Sequence, residues 1–199
     1  MAKDSYFTIS APSKGMFKDK GSKFLSFAYQ VSSEEDVKSI LTRVKKEYHD
    51  ARHHCYAYKI GLSDDMYRIN DDGEPSGTAG KPIYGQILSN NLSDIFIVVV
   101  RYFGGTLLGT SGLINAYKNA AADCLANANI IEKIITKPLK LHYPYELMSA
   151  VMRIVKDENL SVAKQDFMES CRLKLDIRLN DYDTILSKYQ KIYGVEVEN

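Results

Sequence analysis

Two kinds of hydrophobic periodicity divide the first two thirds of the chain into strands and helices. Alternating or continuous apolar runs predict strands at residues 6–9, 16–20, 23–31, 53–60, 66–70 and 95–100. Apolar residues at helical spacing predict three helices, one from residue 33 to about 50, one from Pro82 and one over 112–128. Ser32 is expected to cap the first helix, with Glu35 closing a capping box. Gly21-Ser22 is expected to turn the first hairpin.

The last third of the chain has a pattern of its own. After a link over 130–137, the periodicity predicts strand 139–143, helix 145–158, strands 161–168 and 171–179, helix 181–191 and strand 193–197. Glu169-Ser170 is the expected turn of the hairpin in this region. The βαββαβ order is that of the ferredoxin-like plan. We therefore expect an α+β protein with domains at 1–135 and 136–199.

Composition and charge narrow the class of protein. Apolar residues make up 45% of the 199 residues and charged residues 26%, which is ordinary for a globular protein that is soluble. The net charge is +1, so there is no global attraction to nucleic acid, although residues 1–60 carry 11 basic and 7 acidic side chains, a balance of +4.

The cysteines and the apolar runs indicate the compartment. The three cysteines are an odd number without CxxC spacing, which favours free thiols in a reducing cytoplasm. No secretory signal is recognisable, and the longest apolar run, Ile95 to Val100, is too short to span a bilayer. We expect a cytoplasmic protein without membrane contact, metal or cofactor.

A glycine-rich segment, RYFGGTLLGTSG at 101–112, lies between the continuous apolar strand and the third helix. Glycine allows positive φ and close approach of a backbone to a ligand, and a helix N-terminus attracts anions. The candidate anion-binding residues here are Arg101, Gly104, Gly105 and Gly109. Tight turning and close packing of the helix on the strand explain the same glycines equally well.

A second polar segment, DDGEPSGTAGKP at 71–82, precedes the second helix. Its acids lack the spacing of an EF-hand, and a turn explains them better than a cation does. The segment leads into a helix N-terminus that can face an anion, which makes Asp72, Glu74, Thr78 and Lys81 candidates for ligand binding. In the nearby strand, His53 and His54 point to opposite faces, so too few ligands for zinc lie together.

Four segments together resemble the YigZ/IMPACT family in its bacterial two-domain form. They are KGSKFL (20–25), ARHHCYAYKIG (51–61), DDGEPSGTAGKPIY (71–84) and VVVRYFGGTLLGTSGLINAY (98–117). The resemblance implies a first domain similar to domain 2 of ribosomal protein S5 and a second similar to a ferredoxin-like domain of elongation factor G. Both of those proteins bind RNA or the ribosome.

The resemblance also implies a class of function. Eukaryotic members regulate a stress-responsive translational kinase pathway, partly through an extra N-terminal domain for which we expect no room in 199 residues. It implies no set of catalytic residues. We expect a translation-linked regulatory protein that contacts RNA, the ribosome or a translation factor. The candidate nucleic-acid contacts are Lys18, Lys20, Lys23 and Tyr102, with Lys14 as a further basic residue to test.

Two other functions stay open. One is an enzyme acting on a phosphorylated small molecule, in which Asp72 or Glu74 is a base or metal ligand and Arg101 or Lys81 holds phosphate. No nucleophile–base pair supports it. The other is a protein-interaction adaptor without a ligand site. The anion-site hypothesis depends on the two glycine-bearing segments meeting in space.

Overall fold

The computed structural model describes residues 4–63, 65–167 and 170–198, which form two compact units. The first unit comprises Tyr6–Lys133. The second comprises residues 4–5 and 134–198. Within the described residues, no helix is long and apolar enough to cross a membrane.

The first unit is built on a five-stranded antiparallel sheet with strand order β2-β3-β6-β4-β5. Its elements are β1 (Ser5–Ile9), β2 (Ser13–Asp19), β3 (Ser22–Gln30), α1 (Glu34–Glu47), β4 (His53–Lys59), β5 (Tyr67–Asn70), α2 (Gly80–Ser89), β6 (Ile95–Tyr102), α3 (Gly109–Ala126) and β7 (Ile130–Ile134). The sequence predicts all of these except β7, which lies in the expected link and pairs with β1.

Strand β6 is the middle of this sheet and is covered on both faces. Every side chain from Ile95 to Val100 is fully buried. Ile97 and Val99 belong to one core with α2 and α3, whereas Val98 and Val100 belong to a second core with α1. Because neighbouring residues of a strand point to opposite faces, the continuous apolar run is what a strand buried on both sides requires.

The β2–β3 turn and the N-cap of α1 each lie one residue away from the position that the sequence predicts. The two turn residues between β2 and β3 are Lys20 and Gly21 rather than Gly21 and Ser22. Lys20 and Gly21 have positive φ angles (43° and 80°), and Ser22 already pairs with Asp19 in the strands. Two positive φ angles give the turn the twist of the flanking strands.

The cap of α1 is Ser33 rather than Ser32. Ser33 Oγ accepts from the Asp36 backbone N–H at 3.1 Å, and the Asp36 carboxylate accepts from the Ser33 N–H at 3.1 Å. Aspartate therefore closes the capping box in the role expected of Glu35. Ser32 supports the box from outside, since its hydroxyl donates to Asp36 at 2.8 Å.

The second unit follows the βαββαβ order along the chain. Its elements are β8 (Thr136–Tyr143), α4 (Met148–Asp157) after a short 3-10 turn, β9 (Ser161–Phe167), β10 (Cys171–Arg178), α5 (Tyr182–Gln190) and β11 (Glu196–Glu198). The four strands form a sheet of order β11-β8-β10-β9. The predicted end of β9 at 168 and the turn residue Glu169 lie outside the described residues.

The Ser33 cap gives the first prediction. Ser33→Ala removes the acceptor of the Asp36 N–H and is expected to lower the free energy of unfolding by about 1 kcal/mol. Ser32→Ala is the control, because it removes only an exposed hydrogen bond and is expected to cost less than half as much. Urea denaturation followed by circular dichroism measures both variants. A larger loss for Ser32→Ala would mean that the helix begins one residue earlier.

Candidate functional site

A buried ion pair joins the two glycine-bearing segments. Arg101 Nη1 donates to Glu74 Oε1 at 2.6 Å, and the two side chains are only 8% and 3% exposed. Glu74 comes from the β5–α2 loop and Arg101 from the end of β6. The structure therefore brings these two candidates together, but inside the protein rather than on an open surface.

The same carboxylate binds the third helix. The Tyr117 hydroxyl of α3 donates to Glu74 Oε1 at 2.8 Å. Cys55 Sγ lies 3.2 Å from the Tyr117 oxygen and 3.0 Å from the Asp71 carbonyl. Burial raises the pKa of both Tyr117 and Cys55. Cys55 is thus a neutral buried thiol rather than an activated nucleophile. We call Cys55, Glu74, Arg101 and Tyr117 the Glu74 centre.

Aromatic rings flank the guanidinium of this centre. The Arg101 Cζ atom lies 5.5 Å from the Phe24 ring centroid and 5.7 Å from that of Phe103. Phe24 also meets the Tyr117 ring edge-on at 5.1 Å. The Arg101 Nε has no hydrogen-bond partner among the described residues. Cation–π attraction to the two rings compensates part of the free energy that the missing hydrogen bond of Nε costs.

The N-terminus of α2 is occupied by the protein itself. Asp71 Oδ1 accepts from the N–H groups of Ala79 and Gly80 at 3.0 and 2.8 Å, and its Oδ2 accepts from the Gly77 N–H at 2.8 Å. The expected anion-facing helix entrance therefore already holds a carboxylate. Thr78 is buried with its hydroxyl donating to the Pro75 carbonyl at 2.7 Å.

Asp72 is committed to a structural role on the adjacent strand. Its Oδ2 accepts from the His54 N–H at 2.7 Å, and its Oδ1 lies 3.3 Å from Lys45 Nζ. Burial lowers the pKa of His54, whose Nε2 contacts the Tyr48 carbonyl at 3.1 Å. Lys81, by contrast, is exposed and forms no ion pair with the described residues. Lys81 therefore takes no part in the buried ion pair of the Glu74 centre.

Gly104 serves close packing of one loop on another. A Cβ at this position would lie 1.9 Å from the Gly21 carbonyl carbon and 2.1 Å from the Ser22 nitrogen. The Gly104 N–H donates to Ser22 Oγ at 3.1 Å. Gly105 and Gly109 have positive φ (89° and 72°) and open space at the Cβ position. Backbone conformation and packing account for these glycines without a ligand.

The contact at Gly104 places the β2–β3 turn beside the loop after β6. Lys18, Lys20 and Lys23 are exposed there, and Phe103 and Leu107 of the loop are 51% and 83% exposed. We call these five residues the hairpin-tip surface. None of the three lysines forms an ion pair with the described part of the chain. This surface combines positive charge with exposed apolar side chains.

Tyr102 lies on the other side of the strand from Arg101. Its hydroxyl donates to Asp50 Oδ1 at 2.7 Å, and burial raises its pKa. Tyr102 pairs in register with Lys23, so it supports the tip from the face that α1 covers. Of the two neighbouring aromatic residues Tyr102 and Phe103, Phe103 is the more exposed.

Sequence reasoning missed the partners of Glu74 and the cap of α2. Tyr117 lies 43 residues from Glu74 in the chain, and nothing in the local pattern of α3 marks its hydroxyl. The Asp71 cap was accessible in principle, since a carboxylate before a helix entrance commonly binds its N–H groups. Within the described residues, no group of three or more histidine, cysteine and acidic side chains can hold a metal ion.

A family model and several known proteins match half or more of the chain. The family model described as the Impact N-terminal domain matches residues 20–125. YvyE of Bacillus subtilis (strain 168), an IMPACT family member, is 31% identical over 166 residues, 83% of this chain and 76% of that protein. YigZ of Escherichia coli (strain K12), another member, is 31% identical over 174 residues, 86% and 85% of the two chains.

One solved structure is similar to this protein over nearly the whole chain. It is the crystal structure of a hypothetical protein, with a TM-score of 0.72, 28% sequence identity and coverage of 98% of this chain and 97% of its own.

The Glu74 centre gives the second prediction. Glu74→Ala leaves the Arg101 charge and the Tyr117 hydroxyl buried without their acceptor and is expected to cost about 3–5 kcal/mol of unfolding free energy. Glu35→Ala is the control, since that side chain is 80% exposed and should cost less than about 0.5 kcal/mol. Guanidinium denaturation of both variants measures the difference. Equal losses would contradict a buried ion pair.

Gly104 gives the third prediction. Gly104→Ala forces backbone against backbone and is expected to destabilise the protein by about 1–3 kcal/mol. Gly85→Ala is the matched control, because its Cβ meets nothing within 4 Å and alanine favours the helix by about 1 kcal/mol. Thermal unfolding should shift in opposite directions for the two variants. A tolerated Gly104→Ala would show that the two loops do not touch.

Proposed function

The chain belongs to the IMPACT family, and on that premise we propose that it is a translation-linked regulatory protein that binds RNA, free or on the ribosome, through its hairpin-tip surface. A cytoplasmic location is part of this proposal. The link to translation is what the resemblance to this family implies.

The fold supports the same proposal at the level of its two parts. We propose that residues 1–135 form a domain similar to domain 2 of ribosomal protein S5. We propose that residues 136–199 form a domain similar to the ferredoxin-like domain of elongation factor G. The βαββαβ order with strands arranged β11-β8-β10-β9 supports the second assignment. Similarity of fold is an analogy and does not by itself assign a ligand.

The observation that carries the proposal is the charge arrangement at the tip. Lys18 and Lys23 lie directly opposite each other in the β2–β3 register, and Lys20 occupies the turn between them. Like charges that face each other across two strands destabilise a sheet. A phosphate backbone relieves this repulsion, because each contact neutralises a lysine and releases counterions from the nucleic acid.

Exposed Phe103 adds a second kind of contact. Aromatic side chains beside a basic groove stack on unpaired bases without sequence preference. Phe103 is half exposed next to the lysines, whereas Tyr102 is held by Asp50. We therefore assign base stacking to Phe103 and a supporting role to Tyr102.

The enzyme alternative has no comparable support. The two acids expected to perform its chemistry are engaged with neighbouring groups, Glu74 with the Arg101 guanidinium and Asp72 with Lys45 and the His54 N–H. A general base must reach the proton that it abstracts. A buried, paired carboxylate fits a structural role better.

Charge removal at the tip tests the proposal. The variant Lys18→Gln/Lys20→Gln/Lys23→Gln is expected to bind a single-stranded RNA about 10–100-fold more weakly at low salt and to flatten the slope of log K against log salt by about 2. Fluorescence anisotropy with a labelled 20-nucleotide RNA measures both quantities. The control is Lys38→Gln/Lys46→Gln/Lys118→Gln, three exposed helical lysines with the same change of charge.

The two variants show whether RNA binding depends on the lysines of the tip or only on the net charge of the protein. Equal weakening in both would show that only total charge matters and would contradict the tip as a binding site. An intact protein that binds no RNA and no ribosomes at low salt, but retains a protein translation factor through the tip, would replace RNA with a protein partner.

A further inference from the structure

One face of the sheet in the second unit carries exposed side chains on its described strands. Leu139, Leu141, Leu173 and Leu175 point to the opposite face, where they form a core with α4 and α5. Strand alternation therefore turns the residues between them outward, and Lys140 and Lys174 are both exposed. The exposed positions in the middle of β8 and β10 thus carry positive charge.

Three lysines stand side by side across this face. Lys174 of β10 pairs in register with Lys140 of β8 on one side and with Lys164 of β9 on the other. Neighbouring strands are about 4.8 Å apart, so the three stems leave the sheet within about 10 Å. We call these residues the lysine row. All three are exposed, and none forms an ion pair with the described residues.

Most acids of this face lie in or reach toward the adjacent row, whereas Asp176 lies on the other side of the lysine row, opposite Pro138 and Ser161. Arg172 lies opposite Asp166, and its Nε is 3.9 Å from Glu198 Oε1. His142 Nδ1 lies 3.5 Å from Glu196 Oε2. Glu198 pairs in register with Lys140 but reaches toward Arg172. Carboxylates therefore balance the adjacent row and leave the lysine row with excess positive charge.

A shallow groove runs over both rows. Its charged lining consists of four basic and two acidic side chains, a balance of +2: Lys140, Lys164, Arg172, Lys174, Asp166 and Glu198. Two successive lysine-opposite-lysine pairs are unfavourable for the sheet by themselves. Such an arrangement is explained when an external anion with several charges completes it.

We propose that the lysine row is a second RNA-binding surface that contacts consecutive phosphates of the backbone. The choice of RNA rests on the proposed function, whereas the surface is a different one from the hairpin tip. Among the described outward positions beside the row there is no phenylalanine, tyrosine or tryptophan, which favours contact with phosphates over stacking on bases. Binding at the row is therefore independent of base sequence.

The test compares variants of the intact protein by salt-dependent RNA binding. Lys140→Gln/Lys164→Gln/Lys174→Gln is expected to weaken binding of the labelled 20-nucleotide RNA about 10–100-fold at low salt and to reduce the salt slope by about 2. Homopolymers of uridine and of adenosine should lose affinity equally. The control is Arg153→Gln/Lys156→Gln/Lys191→Gln, which removes three exposed charges from the helical side of the same unit.

A second measurement separates binding from folding. Because the lysines repel one another, the row variant is expected to unfold at a higher temperature than the unchanged protein at low salt, with the difference vanishing at high salt. Weaker RNA binding together with higher thermal stability supports a binding surface. A row variant that is less stable and binds weakly would overturn the proposal in favour of a structural role.

The remaining outcomes show which of the two surfaces binds RNA and whether RNA is the occupant of the lysine row. RNA binding unchanged in the row variant but lost in the tip variant overturns this inference and leaves the proposed function intact. Binding lost in the row variant but unchanged in the tip variant supports this inference and removes the tip. Loss of inorganic polyphosphate binding without loss of RNA binding would overturn RNA as the occupant of the row.

Discussion

A carboxylate removed from water must be paired and hydrogen-bonded, and this requirement organises the first unit around Glu74. Its Oε1 receives hydrogen bonds from Arg101 at the end of the central strand and from Tyr117 on the third helix. The loop that carries Glu74 therefore cannot move without leaving two buried donors unsatisfied. Asp71 fixes the same loop from its other side by capping α2. The carboxylates of Asp71 and Glu74 in this polar segment thus stabilise the protein itself.

This arrangement determines where the protein can meet a partner. Arg101 and Tyr102 are neighbours in β6 and point to opposite faces, one into the Glu74 centre and the other toward Asp50 beside α1. Neither face of the strand end is free. The exposed groups lie just beyond it, in the loop with Phe103 and in the hairpin that packs on Gly104. A rigid buried centre next to an exposed loop is a common way to hold a binding surface in position.

The two lysine surfaces follow one physical rule. In both, lysines lie directly opposite each other in an antiparallel register, Lys18 with Lys23 and Lys174 with Lys140. Such pairs lower stability, and proteins break local rules of this kind mainly where function requires it. Near-neutral net charge is compatible with this arrangement, because what matters for a phosphate contact is the local excess of positive charge rather than the sum over the chain.

Hydrophobic period, turn residues and family motifs were enough to predict nearly every strand and helix, including the buried strand Ile95–Val100, because these signals act over a few neighbouring residues. Register, caps and partners were not accessible in this way. The cap of α1 is Ser33, one residue after the predicted position, because Asp36 closes the capping box as well as a glutamate would. Glu74 and Tyr117 meet across 43 residues, and three lysines from three strands form a row only when the sheet sets their register. The sequence by itself determined the elements and the family; the tertiary structure decided which polar groups satisfy one another and which remain exposed to a partner, because that depends on long-range packing.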